Sequence, residues 1–179
     1  ASDRSSGLLL FKDADNQVDN IVPNSPFTDR VFDMQALDGN LWVATGGRNT
    51  SFNYTFNRDG IIRYDIFDNW IPYNAFGYPK LEGVLDIISV AIHPDPTIEE
   101  VYFGSFFAGL VKFDGSDFTL FTDSNSILDN RNGDPIRTVV NALAFDEDQN
   151  LWMTQYDTDN PIKILTAEGE WLALNPQVS

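Results

Sequence analysis

The feature that most restricts what this chain can fold into is a six-residue phrase that returns at long, nearly constant intervals. Gly60-Ile61-Ile62-Arg63-Tyr64-Asp65 and Gly109-Leu110-Val111-Lys112-Phe113-Asp114 match position for position: glycine, branched aliphatics, a cation, an aromatic, an acid. Gly7-Leu8-Leu9-Leu10-Phe11-Lys12 with Asp13 shares the design and carries one additional leucine. The three starts lie 53 and then 49 residues apart. Self-similarity at such a period marks a repeat architecture.

Two further phrases keep the same order. Asn40-Leu41-Trp42-Val43-Ala44-Thr45 returns as Asn150-Leu151-Trp152-Met153-Thr154, with Glu100-Val101-Tyr102-Phe103-Gly104-Ser105 in the same slot between them. Asn24-Ser25-Pro26-Phe27-Thr28-Asp29 is echoed by Asn125-Ser126-Ile127-Leu128-Asp129-Asn130. Between these landmarks the apolar residues recur at spacing two, or in short runs bounded by Gly, Pro, Asn and Asp, so strands are expected and no helix of three turns.

Four strands per repeat can be placed. The first complete unit reads 31–37, a turn at Asp38-Gly39-Asn40, 41–45, 60–65 and 70–73; the second 87–92, 101–106, 109–113 and 118–121; the third 139–145, 151–156, 162–165 and 171–174. Four short antiparallel strands in a unit of about 50 residues form the pattern of a β-propeller blade. The expected fold class is therefore all-β: a partial propeller of about three and a half blades, with a trailing half blade at 7–27 holding two strands and whole blades at 30–74, 86–122 and 138–175. A blade covers its faces only with neighbouring blades, so Trp42, Tyr102 and Trp152 are expected between sheets, and Gly60 and Gly109 are expected to open the third strands.

Composition narrows the function. The 42% hydrophobic and 13% aromatic content is that of a globular chain rather than a disordered one. A formal charge of −16 argues against a nucleic-acid backbone or an anionic membrane surface as a direct partner. No apolar run is long enough for a membrane span. With no cysteine, neither a disulfide nor a thiolate site is available. The start at Ala1-Ser2-Asp3, without an initiator methionine or signal peptide, reads as a piece excised from a longer protein.

Catalytic chemistry is poorly provided for, and no enzyme, cofactor or metal site is expected. His93 is the single histidine, in a turn-like Ile92-His93-Pro94-Asp95-Pro96, without the partners of a zinc site or a nucleophilic triad. Asp146-Glu147-Asp148-Gln149-Asn150 and Asp157-Thr158-Asp159-Asn160 lack the central glycine and distal glutamate of a calcium loop. Asn49-Thr50-Ser51 and Asn53-Tyr54-Thr55 match the glycosylation sequon, a short pattern in an asparagine-rich loop.

In a four-stranded meander the second-to-third connections and the links between units emerge at one end. That end gathers the long insertion 48–59, with Phe52, Tyr54 and Phe56, and near it Phe76, Tyr78, Asn130 and Arg131. Aromatics among amide and charged groups suit a sugar, whose ring faces are apolar and whose rim forms hydrogen bonds. The alternative is that these aromatics tuck back onto the sheets or meet another domain.

Asp38-Gly39-Asn40-Leu41-Trp42-Val43-Ala44-Thr45, Gly60-Ile61-Ile62-Arg63-Tyr64-Asp65 and Gly109-Leu110-Val111-Lys112-Phe113 resemble the two-component regulator propeller repeat of Bacteroidetes, nearly end to end along the chain. The phrasing of 103–110, 125–128 and 164–171 is nearest to the PorZ-like propellers of type IX (Por) secretion, while Gly104-Ser105 and Pro161 depart from the repeat pattern. The resemblance implies an extracytoplasmic, non-catalytic scaffold at the outer membrane, in the periplasm or at the surface, contacting proteins, glycan or lipopolysaccharide. Its alternative is the glycan-sensing periplasmic propeller of a hybrid two-component sensor kinase. Exposed blade edges imply either further blades, other protein partners, or a homodimer of the fragment.

Overall fold

The computed structural model describes residues 2–3, 7–13, 17–21 and 24–176. β1 (Ser2–Asp3), β2 (Gly7–Phe11) and β3 (Gln17–Ile21) form a three-stranded antiparallel sheet. Two strands were expected here; the third, β1, pairs Ser2 with Leu8 and Asp3 with Gly7.

Three four-stranded antiparallel sheets follow, each a meander in chain order. The first is β4 (Asp33–Leu37), β5 (Asn40–Ala44), β6 (Ile61–Tyr64) and β7 (Trp70–Tyr73). The second is β8 (Ile87–Ile92), β9 (Val101–Ser105), β10 (Gly109–Phe113) and β11 (Phe118–Phe121), and the third β12 (Val140–Phe145), β13 (Leu151–Gln155), β14 (Ile162–Leu165) and β15 (Trp171–Leu174). The only helical turn among the described residues is a 3-10 turn at Pro79–Leu81. The β4–β5 hairpin shows why the sequence turns where it does: Asp38 and Gly39 both take left-handed φ (47° and 74°), as a two-residue turn with matching twist requires.

The three four-stranded sheets pack face to face, with first strands β4, β8 and β12 on a common side. These first strands are not paired by backbone ladders. Instead Asp33 Oδ2 accepts from Val90 N (3.0 Å) and Gln35 Oε1 from Ile92 N (2.7 Å), so side chains of β4 satisfy the free amides of β8. Between the first two four-stranded sheets lies an aromatic core. Trp42 stacks on Tyr73 at 5.5 Å and meets Phe103 and Phe113 at 5.7 and 5.2 Å. Phe103 and Phe118 are fully enclosed, each stabilising the fold by about 2–3 kcal/mol through burial. The next interface joins Tyr102 and Leu110 to Val140, Leu151 and Met153.

Trp152 departs from the expectation that it lies between sheets. Alternation along β13 turns Leu151 and Met153 inward and Trp152 outward, where it is 39% exposed. It shares that outer face with Leu172 and Leu174, also exposed, because no described element packs there.

Acid side chains fix the turns after the third strands. Asp114 Oδ1 accepts from Asp117 N (2.8 Å), Ser116 N (3.0 Å) and Ser116 Oγ (2.9 Å). These bonds, that from Asp117 N foremost, hold its carboxyl at about 2. The folded value lies below the ordinary carboxylate value of about 3.9. The stabilisation is thus complete above that value and fades as pH falls through the folded one. Asp114→Asn is expected to lower the melting temperature at neutral pH, with the gap to the parent chain closing at the acid end of a pH series.

Candidate functional site

The 48–59 insertion is a built structure. An antiparallel bridge joins Arg48 to Tyr54, and Asn49 Oδ1 accepts from Ser51 N and Asn53 N, both at 2.9 Å. Phe52 and Phe56 are held in left-handed conformations (φ 57° and 54°), which cost free energy in a residue with a Cβ. The fully buried Asp86 carboxylate offsets this. It accepts from Thr55 N, Phe56 N and Asn57 N at 3.0, 2.9 and 2.9 Å, and from the Thr55 hydroxyl. Asp86→Ala strands three inward-facing amides, so a loss of about 2–4 kcal/mol is expected. Limited trypsinolysis of the native variant should then cut at Arg48 or Arg58 faster than in the parent chain.

Anchored in this way, the insertion reaches across the corresponding connections of the next two sheets. Phe52 stacks on Tyr156 at 5.9 Å, while Tyr54 meets Phe106 at 5.2 Å and Phe107 at 5.6 Å. Phe56 contacts Tyr54 and Phe107 at 6.0 and 6.2 Å. Three guanidinium groups lie over these rings: Arg48 over Phe52 at 4.0 Å, Arg137 over Tyr54 at 4.8 Å, and Arg131 over Tyr156 at 5.3 Å. Arg131 donates from Nε to Asp157 (3.0 Å) and Arg137 pairs with Asp134, whereas Arg48 has no carboxylate partner among the described residues. The bond to Asp157 raises the Arg131 pKa further, so its cation is fixed.

Of the residues singled out in the sequence, the structure brings Phe52, Tyr54, Phe56 and Arg131 together. Asn130 is consumed in holding the link between sheets: its amide donates to Asp123 (2.8 Å) and Pro135 O (2.9 Å) and accepts from Thr138 (2.8 Å). Tyr78 packs against Tyr73 and Phe118, both at 5.2 Å, and so belongs to the core. Phe76 stands fully in solvent. Phe106, Phe107, Tyr156 and Arg137 were not singled out in the sequence, although the first three lie in second-to-third connections and Arg137 in a link between sheets, all of which the same connectivity rule places at this end.

Chemically, the assembly is a set of groups suited to recognition. Its exposed parts, Phe52 and Phe56, offer apolar faces beside cations, the composition of binding hot spots. The Tyr54 hydroxyl, Arg48 Nε, Arg137 Nε and Thr158 Oγ1 are buried without a protein hydrogen-bond partner, polar capacity that a bound group could engage. No group of three potential metal ligands occurs among the described residues, and His93 sits in the β8–β9 connection, away from these loops.

No family profile and no curated protein matches the chain. Solved structures do. PorZ, a surface component of the type IX secretion system of Porphyromonas gingivalis, matches over 95% of this chain and 23% of its own, with TM-score 0.70 and 20% identity. The extracellular domain of a protein described as a one-component system from B. thetaiotaomicron matches over 88% of this chain and 18% of its own, with TM-score 0.55 and 13% identity. At these identities the likeness is one of fold, and the chain spans under a quarter of either protein. Among the described residues no helix is long and apolar enough to cross a membrane, which leaves β-barrels unaddressed.

Proposed function

We propose that the chain is a run of β-propeller blades from an extracytoplasmic protein, acting without catalysis as a binding scaffold in type IX secretion at the outer membrane. The observation that carries this is the match of all but a few residues to a surface secretion component, through three successive meander sheets. Trp42 and Tyr102, at the same point of successive sheets, support the blade assignment by each packing against an aromatic ring of the sheet that follows. The exposed outer face around Trp152, Leu172 and Leu174 offers the same kind of surface to a further blade or to a second copy of the chain. Lipopolysaccharide or another glycan is the proposed non-protein ligand, met at the loop end by Phe52, Phe56 and their arginines.

The second reading, a periplasmic glycan sensor of a hybrid two-component system, draws support from the extracellular-domain match. Cell fractionation of the tagged parent protein separates the two. A scaffold should be recovered with the outer membrane, and deleting these residues should leave exported cargo inside the cell. Recovery in the inner membrane, with cargo export intact, overturns the scaffold in favour of the sensor. For the ligand, Phe52→Ser with Phe56→Ser should abolish retention on immobilised lipopolysaccharide while leaving the melting temperature within a few degrees; unchanged retention rejects the loop end as the contact.

A further inference from the structure

Register places four side chains at equivalent points of each four-stranded sheet. In β4–β7 they are Leu37, Asn40, Trp42 and Arg63, with Leu37 opposite Asn40 and Trp42 opposite Arg63. Arg63 donates to Asn40 Oδ1 from Nε (3.0 Å) and Nη2 (2.8 Å) and lies over the Trp42 ring at 5.3 Å. In β12–β15 the set is Asp146, Asn150, Trp152 and Ile164. The middle sheet alone carries His93, Glu100, Tyr102 and Lys112, all of them ionisable. The aromatic here is smaller and the neutral amide has become an acid.

The crevices between sheets follow these differences. Between β4–β7 and β8–β11, where Trp42 and Arg63 fill the space, the cavity measures about 110 Å³. Between β8–β11 and β12–β15 it measures about 360 Å³, within the size range of small-ligand pockets. At one end Glu100 receives the Lys112 ammonium on Oε1 and the Tyr102 hydroxyl on Oε2 (2.7 Å). Burial opposes ionisation of Glu100, but the bonds from Lys112 and Tyr102 outweigh it and hold its carboxyl below the ordinary value. Phe121, Phe145, Leu151, Leu165 and Trp171 supply the apolar wall, while His93, Gln149 and the turn 166–169, with Thr166 and Glu168, add polar groups at the side.

The carboxylate and the ammonium are each about a quarter exposed, and each has hydrogen-bonding capacity left: two of roughly four acceptor sites and two of three donors. An adjacent anion and cation beside a wall of five apolar side chains are complementary to a small zwitterion with an apolar body. A sugar, by contrast, needs polar groups all around its rim. We infer that this crevice binds a free α-amino acid with an aromatic or large aliphatic side chain, its ammonium on Glu100, its carboxylate on Lys112, and its side chain along Phe121, Phe145 and Trp171.

Calorimetric titration of the chain with L-phenylalanine tests this, alongside 2-phenylethylamine, 3-phenylpropionate and glucose. Saturable phenylalanine binding is expected, with each half-ligand at least about tenfold weaker, as loss of a charged hydrogen bond implies. Glu100→Gln should weaken phenylalanine by at least about tenfold yet spare phenylpropionate, and Lys112→Gln should do the converse with phenylethylamine. Leu165→Trp, which fills the crevice without touching the ion pair, should abolish binding and covers the case in which either charge variant fails to fold. Half-ligands binding as tightly as the amino acid, saturation by glucose alone, or no saturable binding at tens of millimolar overturns the inference.

Discussion

Replacing Gly109 with alanine is expected to destabilise the chain by about 3–5 kcal/mol, read as a lower urea midpoint at unchanged slope. Gly109 opens β10 at φ +85°, and a Cβ there would stand 2.2 Å from Phe121 O. The left-handed backbone alone costs an alanine about 1–2 kcal/mol. The remainder comes from prising β11 away from β10, next to the bond from Gly109 N to Thr138 O (2.7 Å) that ties this sheet to the next. Gly60 repeats the geometry, at φ +83° and 2.2 Å from Tyr73 O. Gly83 supplies the control: its φ is +78°, but nothing lies within 4 Å of the added carbon, so alanine there should cost only the backbone part. Equal losses at 83 and 109 would show that backbone conformation, and not the close carbonyl, explains why the repeated phrase begins with glycine.

That phrase made the strands legible in the sequence, because glycine, alternating aliphatics and a following acid are each demanded by local geometry. The acid of Asp65 and Asp114 caps its own turn, and the glycine meets its own neighbouring strand. What remained hidden depends on contacts between units. Phe106 reads as the end of a strand, yet β9 stops at Ser105, whose hydroxyl accepts from Phe107 N (3.0 Å) and Ala108 N (2.8 Å) and turns both phenylalanines toward the insertion. Tyr78 reads as a loop aromatic beside Phe76, but the 3-10 turn at Pro79–Leu81 sets it against Phe118. The 360 Å³ crevice was invisible for a related reason. His93 and Glu100 lie in the β8–β9 connection, Tyr102 in β9 and Lys112 in β10, and only their cross-strand register reveals them as one variable set in an otherwise repeated scheme.

Trp42 and Trp152 occupy the same place in the repeated phrase, and truncating them is expected to give opposite results. Trp42→Ala removes a ring with 4% exposure that touches Tyr73, Phe103 and Phe113, so a loss of about 3–5 kcal/mol is expected from the cavity and the lost packing. Trp152→Ala removes a ring that is 39% exposed and held by one bond, from Nε1 to Asp146 Oδ2 at 2.7 Å, so the expected loss is under about 1 kcal/mol. Denaturant midpoints of the two variants decide the matter. In a longer form of the protein that supplies a sheet against β12–β15, the cost of Trp152→Ala should rise toward that of Trp42→Ala, since the residue would then pack as its counterpart does. Ile164 favours that outcome: it stands opposite Trp152 where the other sheets place Arg63 and Lys112, leaving no cation to be desolvated when the face is covered. A cost for Trp152 that stays low in the longer form would mean that the tryptophan serves a surface contact and not a blade interface, and the propeller assignment of the last sheet would fall with it.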